Sequence, residues 1–203
     1  MRWGWAVRPI FRAASPARSR AAFDPAVACA ANMAASGRSG IRLELQGEGA
    51  ASVETGLPVL DRLLERLVDY AGWDLVLEVE PGTGEAEVAQ AGTALGSALH
   101  ETLRTARGYG FASMTSAEAL ASVVLEISDE PLVVTNVDLT QARIAGLGTD
   151  VARRFLDRFA ESAGVTLHVR LLNGTDTQHV LEAIFKALGV ALAQACSNEG
   201  ETE

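Results

Sequence analysis

Residues 62–91, RLLERLVDYAGWDLVLEVEPGTGEAEVAQA, and residues 154–183, RFLDRFAESAGVTLHVRLLNGTDTQHVLEA, read as two copies of one unit. A shift of 92 positions sets Arg62 on Arg154, Leu64 on Leu156 and Arg66 on Arg158. It also sets Ala71-Gly72 on Ala163-Gly164, Leu75 on Leu167, and Gly82-Thr83 on Gly174-Thr175. After one residue of slip, Ala94-Leu95-Gly96-Ser97-Ala98-Leu99 meets Ala187-Leu188-Gly189-Val190-Ala191-Leu192, differing at the fourth position alone. Alanine-rich helices match by chance, but glycines that coincide at both loops point to an internal duplication.

Each copy carries the same local pattern. Pro58 stands where a first helical turn accepts it. Leu60, Leu63, Leu64 and Leu67 follow at helical spacing as one apolar stripe. Gly72 falls just past the helix end, where a left-handed conformation costs it nothing. Asp74–Glu80 alternates, which predicts a half-buried strand. A turn at Pro81–Gly84 then leads to a helix over 86–104. The second copy predicts a helix over 150–162, a strand over 165–172, a turn over 173–175 and a helix over 178–196. Further strands are expected over 41–46, 51–54, 119–127 and 132–138. The expected fold is α+β, a tandem duplication of a β-sheet unit covered on one face by two α-helices. The expected organisation is an N-terminal extension over 1–36, half-repeats over 37–107 and 108–196, and an acidic tail over 197–203.

The chain has 203 residues, 48% of them hydrophobic and 21% charged, as in a soluble globular protein. Its net charge of −9 argues against nucleic acid as a partner, because phosphates would repel it. No apolar run reaches the roughly 18 residues of a membrane helix. Two distant cysteines, Cys29 and Cys196, make no disulfide framework, so a reducing, cytoplasmic setting is expected. Residues 1–32 hold five arginines and one acid, and without them the net charge is −13. This segment is read as a disordered tail, as sequence upstream of a true start at Met33, or as a transit-like peptide, the first two being preferred.

Several segments together resemble the imidazoleglycerol-phosphate dehydratase family over residues 40–196. Glu54-Thr55-Gly56-Leu57-Pro58 with Leu60-Asp61 is similar to its opening motif. Trp73-Asp74-Leu75 resembles its aromatic-Asp-Leu strand start, and Gly164–Arg170 the strand before its second metal motif. His179-Val180-Leu181-Glu182-Ala183-Ile184-Phe185-Lys186-Ala187 resembles that motif itself, a His-His-x-x-Glu sequence. The resemblance implies a dehydratase-like, ribosomal protein S5 domain 2-like fold. It also implies a hydro-lyase of histidine biosynthesis with two manganese ions held by histidines and glutamates, in a large symmetric homo-oligomer.

The chain departs from that pattern in a systematic way. Arg62 and Arg154 stand where the family has histidine. The first His-His-x-x-Glu motif aligns with Glu85, Ala86 and Ala89. Gln178 replaces the leading histidine of the second motif, leaving His179 and Glu182. Glu130 replaces an expected arginine, and acidic Glu199–Glu203 replaces a lysine-bearing tail. The chain holds three histidines, His100, His168 and His179, too few for two imidazole-rich centres. His179 and Glu182 share a helix face and read as a vestigial metal pair, with Glu182 as the residual catalytic residue. His168 reads as structural and His100 as exposed. Arg62, Arg154 and Lys186, the only lysine, are the candidate binding residues. The two arginines either pair with acids such as Asp61 or Glu182, or line a cleft that takes an anion.

Two functions are expected from this. The first is a non-catalytic binding or assembly paralogue without cofactor, associating with itself or with an active dehydratase. The alternative is an active or residual dehydratase with an altered site.

Overall fold

A computed structural model describes residues 39–137, 143–144, 147–148 and 150–197. The N-terminal extension, nearly all of the acidic tail and the end of the strand expected to reach Asp138 lie outside the described residues. The first half contains β1 (Gly40–Glu44), β2 (Ala51–Glu54), α1 (Pro58–Ala71), β3 (Asp74–Glu78) and α2 (Glu85–Thr105). The second contains β4 (Tyr109–Ser116), β5 (Ala119–Ile127), β6 (Leu132–Thr135), two-residue strands β7 (Arg143–Ile144) and β8 (Leu147–Gly148), α3 (Asp150–Ala163), β9 (Val165–Asn173) and α4 (Thr177–Ala195).

The strands form a three-stranded sheet, β1-β3-β2, and a four-stranded sheet, β4-β5-β9-β6. β2 runs parallel to β3 across the helix α1, and β6 runs parallel to β9 across α3. The central strands use matching registers. Leu75 lies opposite Leu43 and Ala51, and Leu167 lies opposite Leu125 and Val133. Both leucines are buried. One face of each sheet carries its own two helices, as expected, and the fold is α+β.

The helices also pair across the two halves: α1 packs on α4, and α2 on α3. Gly189, in the second copy of the Ala-Leu-Gly motif, sits where an added Cβ would overlap the Leu67 carbonyl of α1. Gly96, in the first copy, sits where a Cβ would come 2.6 Å from the Phe159 carbonyl of α3. Backbones in such close contact leave no room for a side chain. Helix α4 buries Val180, Leu181, Ile184, Phe185, Leu188 and Leu192, because α1 lies on one side of it and β4 and β5 on the other.

Pro58 opens α1, and Gly72 ends it in the left-handed region at φ 70°. The sequence pattern did not predict β4. Its inward positions are Gly110, Ala112, Met114 and Ser116, three of them small, while Tyr109 and Phe111 point outward. A Cβ on Gly110 would overlap the Ala191 carbonyl of α4. Tight helix packing therefore puts small residues inward at the start of β4 and leaves the aromatic Tyr109 and Phe111 outside.

Candidate functional site

The second-motif residues collect where the N-terminal half of α4 meets the β4–β5 turn. Asp176 caps the helix, its Oδ1 accepting from the His179 amide at 3.1 Å. The turn brings Glu118 to the same point through Ala117, which takes φ 49° without being glycine. Glu118 Oε1 accepts from the Asp176 amide at 3.1 Å, and Oε2 lies 2.6 Å from His179 Nδ1. Hydrogen bonds from its own backbone amide and from Asp176 hold the Glu118 carboxyl below its ordinary range, outweighing desolvation, with His179 adding to them. Sequence reading missed Glu118. The hairpin turn that carries it follows the strand that the pattern concealed.

Glu182 lies one turn further along α4. Its Oε2 accepts from Ser116 Oγ at 2.8 Å and its Oε1 from Gln178 Nε2 at 3.1 Å. Burial pushes its pKa up, but these two hydrogen bonds and the charges of Lys186 and Arg62 outweigh burial and leave it lowered. Lys186 Nζ donates to the Thr115 carbonyl at 3.3 Å and to Ser116 Oγ at 3.4 Å. It stands 5.4 Å from the centre of the Tyr70 ring on α1, a cation–π contact. The structure thus brings His179, Glu182, Lys186 and Arg62 into one neighbourhood on the α1–α4 pair.

Arg154 belongs to a different place, the α2–α3 pair. Its Nη1 donates to Glu85 Oε2 at 2.6 Å. Asp61 does not serve as the expected partner of an arginine here: its Oδ1 accepts from the Thr55 amide at 3.0 Å and from Thr55 Oγ1. Glu87 occupies the start of α2. It is buried, and its Oε1 accepts from the Gly82 amide. Its own backbone hydrogen bond lowers its pKa against desolvation, and Gly82 and Gly84 lower it further. This carboxylate folded back on a helix start is a cap.

The other two histidines stand apart from the cluster. His100 was expected to be exposed. It is half-buried instead, with Nδ1 3.1 Å from the Ala163 carbonyl, because α2 packs closely on α3. His168 lies on the outer face of β9, exposed. Among the described residues, no group of three or more His, Cys, Asp or Glu is arranged to hold a metal ion. No helix among them is long and apolar enough to cross a membrane.

A two-sheet α+β fold with a His-x-x-Glu pair on its last helix defines a narrow class. The imidazoleglycerol-phosphate dehydratase family model matches residues 55–192. The dehydratase of Metallosphaera sedula is 35% identical over 167 residues, 79% of this chain and 86% of that protein. That of Syntrophobacter fumaroxidans is 39% identical over 159 residues, 75% and 81% of the two chains. The crystal structure of the dehydratase from Staphylococcus aureus is similar at a TM-score of 0.72 and 26% identity, covering 79% of this chain and 94% of that one. The Pyrococcus furiosus enzyme is similar at 0.70 and 27%, covering 81% and 93%. The chain belongs to the imidazoleglycerol-phosphate dehydratase family, a lyase family of histidine biosynthesis.

Proposed function

We propose that this chain is a non-catalytic binding or assembly member of the family, cytoplasmic and self-associating. The observation that carries the reading is the state of the α4 cluster. Both Glu182 oxygens are engaged by Gln178 and Ser116, and the one histidine beside it is engaged by Glu118. A two-manganese centre needs many imidazole and carboxylate donors converging on open positions. The donors here do not fit one, since three histidines serve the whole chain and two of them lie elsewhere.

The three candidate binding residues support assembly over anion capture. Arg154 is committed to Glu85, and Arg62 and Lys186 flank the Glu182 carboxylate. A guanidinium already paired with a carboxylate, as that of Arg154 is, has less to offer a phosphate. The domain reading goes with this proposal, the halves 37–107 and 108–196 being copies that bury a common helical layer. Joining an active dehydratase as a mixed oligomer is part of the same reading.

The alternative, a residual dehydratase, draws on one observation. The Glu118–His179 contact orients an imidazole beside Glu182, and such a pair is able to move a proton. Elemental analysis of protein purified with manganese, set against protomer concentration, separates the two. Near-zero metal together with no turnover of imidazoleglycerol phosphate is expected. One or two ions per protomer, or measurable dehydration, overturns the non-catalytic reading.

A further inference from the structure

The chain contains a single Asn-Gly pair, Asn173-Gly174, where β9 ends and turns into α4. In such a pair the glycine amide nitrogen is able to attack the asparagine side-chain carbonyl, because no Cβ on the following residue shields it. A folded chain permits this where the carboxamide is reachable and the glycine amide has no acceptor. Asn173 meets the first condition. It is exposed, its Nδ2 donates to the Glu118 carbonyl over a long 3.4 Å, and its Oδ1 has no partner among the described residues. Gly174 meets the second, since its amide has no acceptor among the described residues. The ladder is irregular at this point: Asn173 lies opposite Leu120 and Leu171 opposite Ala121, so Leu172 is skipped. Gly174 takes φ 127°, and a Cβ there would come 2.7 Å from the Ala119 Cβ.

Asn136 is exposed too, but it is held differently. Its Nδ2 donates to the Leu171 carbonyl at 3.2 Å, and its Oδ1 accepts from the Leu171 amide at 2.8 Å. The residue after it is the β-branched Val137, whose amide donates to Thr135 Oγ1 at 3.0 Å. Carboxamide and following amide are both occupied there, and a branched side chain crowds the approach. Exposure does not separate the two asparagines. Hydrogen bonding and the following residue do.

We infer that Asn173 is a site of spontaneous covalent modification in the folded chain, with water as the co-reactant, and that the change weakens the start of α4. The Gly174 amide nitrogen bonds to Asn173 Cγ, the Cγ–Nδ2 bond breaks, and the amide proton leaves with Nδ2 as ammonia. The cyclic imide that results takes up water at either carbonyl. Opening at the side-chain carbonyl gives aspartate. Opening at the main-chain carbonyl gives isoaspartate, whose backbone is longer by a methylene. Both products add a negative charge beside Glu118 and Asp176, the acids that hold the first turn of α4. The donor to the Glu118 carbonyl becomes an acceptor, so that contact turns from attraction to repulsion. The longer isoaspartyl backbone enters a turn where Gly174 already lies against Ala119. The turn that sets Glu118 against His179 is thereby loosened. The inference stands apart from the non-catalytic reading and does not rest on it.

The test is incubation of the full chain at mildly alkaline pH, followed by proteolytic mapping with mass spectrometry. The same chain unfolded in guanidinium chloride gives the rate at which each asparagine reacts without structure. Folding is expected to slow Asn136 by about tenfold or more and Asn173 by much less. The Asn173 product is a mixture of aspartate and isoaspartate. Asn173→Gln, whose longer side chain closes a less favoured ring, loses the charge gain that isoelectric focusing shows for wild type. Modified chain separated by ion exchange unfolds at lower denaturant concentration than unmodified chain, and Asn173→Asp reproduces part of that loss. Asn173 slowed by folding as much as Asn136, or a charge gain that persists in Asn173→Gln, overturns the site. Modified chain of unchanged stability overturns its link to α4. Should Asn173→Gln fail to fold, the mapping of the wild-type chain decides alone.

Discussion

Arg154 on α3 and Glu85 on α2 form an ion pair of 2.6 Å between residues 69 positions apart, joining the two halves of the chain. Both side chains are more than a third exposed, and water and salt screen the pair. Exposed pairs contribute about 0–1 kcal/mol. Glu85→Gln is therefore expected to lower the thermal midpoint slightly in low salt and not at all in high salt. A large loss that persists in high salt would mean that Glu85 does more than pair with Arg154.

The glycines at the cross-half contacts are a stronger test. At Gly96 a methyl group meets the backbone of α3, and at Gly189 it meets the backbone of α1. Overpacking of this kind costs about 1–3 kcal/mol. Gly96→Ala and Gly189→Ala are each expected to lower stability by at least that much in denaturant unfolding. This outweighs the gain that alanine gives in an ordinary helix interior, about 0.5–1 kcal/mol over glycine. If either substitution is neutral or stabilising, the close helix approach at that position is wrong.

Acid sensitivity follows from Glu118. Its carboxyl is held below the ordinary value of 4.5 in the folded chain. A depressed carboxylate contributes stability that is complete above its unfolded pKa and is lost as pH falls through its folded pKa. Glu118→Gln is expected to be less stable than wild type at neutral pH. The gap should close as pH drops below 4.5, read from urea unfolding at a series of pH values. A gap that stays constant to low pH would show that the carboxylate charge contributes nothing.

Burial pushes the Cys196 thiol up to about 12. At pH 8 it is protonated, and a thiol without thiolate is a poor nucleophile. In a Cys29→Ser variant, Cys196 should resist alkylation in the native state and react fully once unfolded. Rapid native-state labelling would place Cys196 at the surface.

Much of the fold was legible from residue order because its signals are local. The leucine stripe of α1, Pro58 at its start and Gly72 at its end act within a few residues of chain, and each appears where expected. The alternation of β9 is of the same kind. β4 was not legible, because Gly110 and Ala112 answer to a helix about 80 residues away. Glu118 was missed for the same reason, as its contact with His179 spans 61 positions.

The sequence by itself determined that a helix, a strand and a second helix occur twice, and that His179 and Glu182 share one helical face. Periodicity and capping are properties of neighbouring residues, so order along the chain is enough to read them. Only the tertiary structure decided that each second helix packs on the first helix of the other half. That choice pairs Arg154 with Glu85, sets Arg62 near Glu182, and leaves Phe111, Val124 and Leu172 exposed within the chain. Partner choice is settled by which surfaces fit at backbone distance, through residues such as Gly96 and Gly189, and such long-range fit leaves no periodic trace in the sequence.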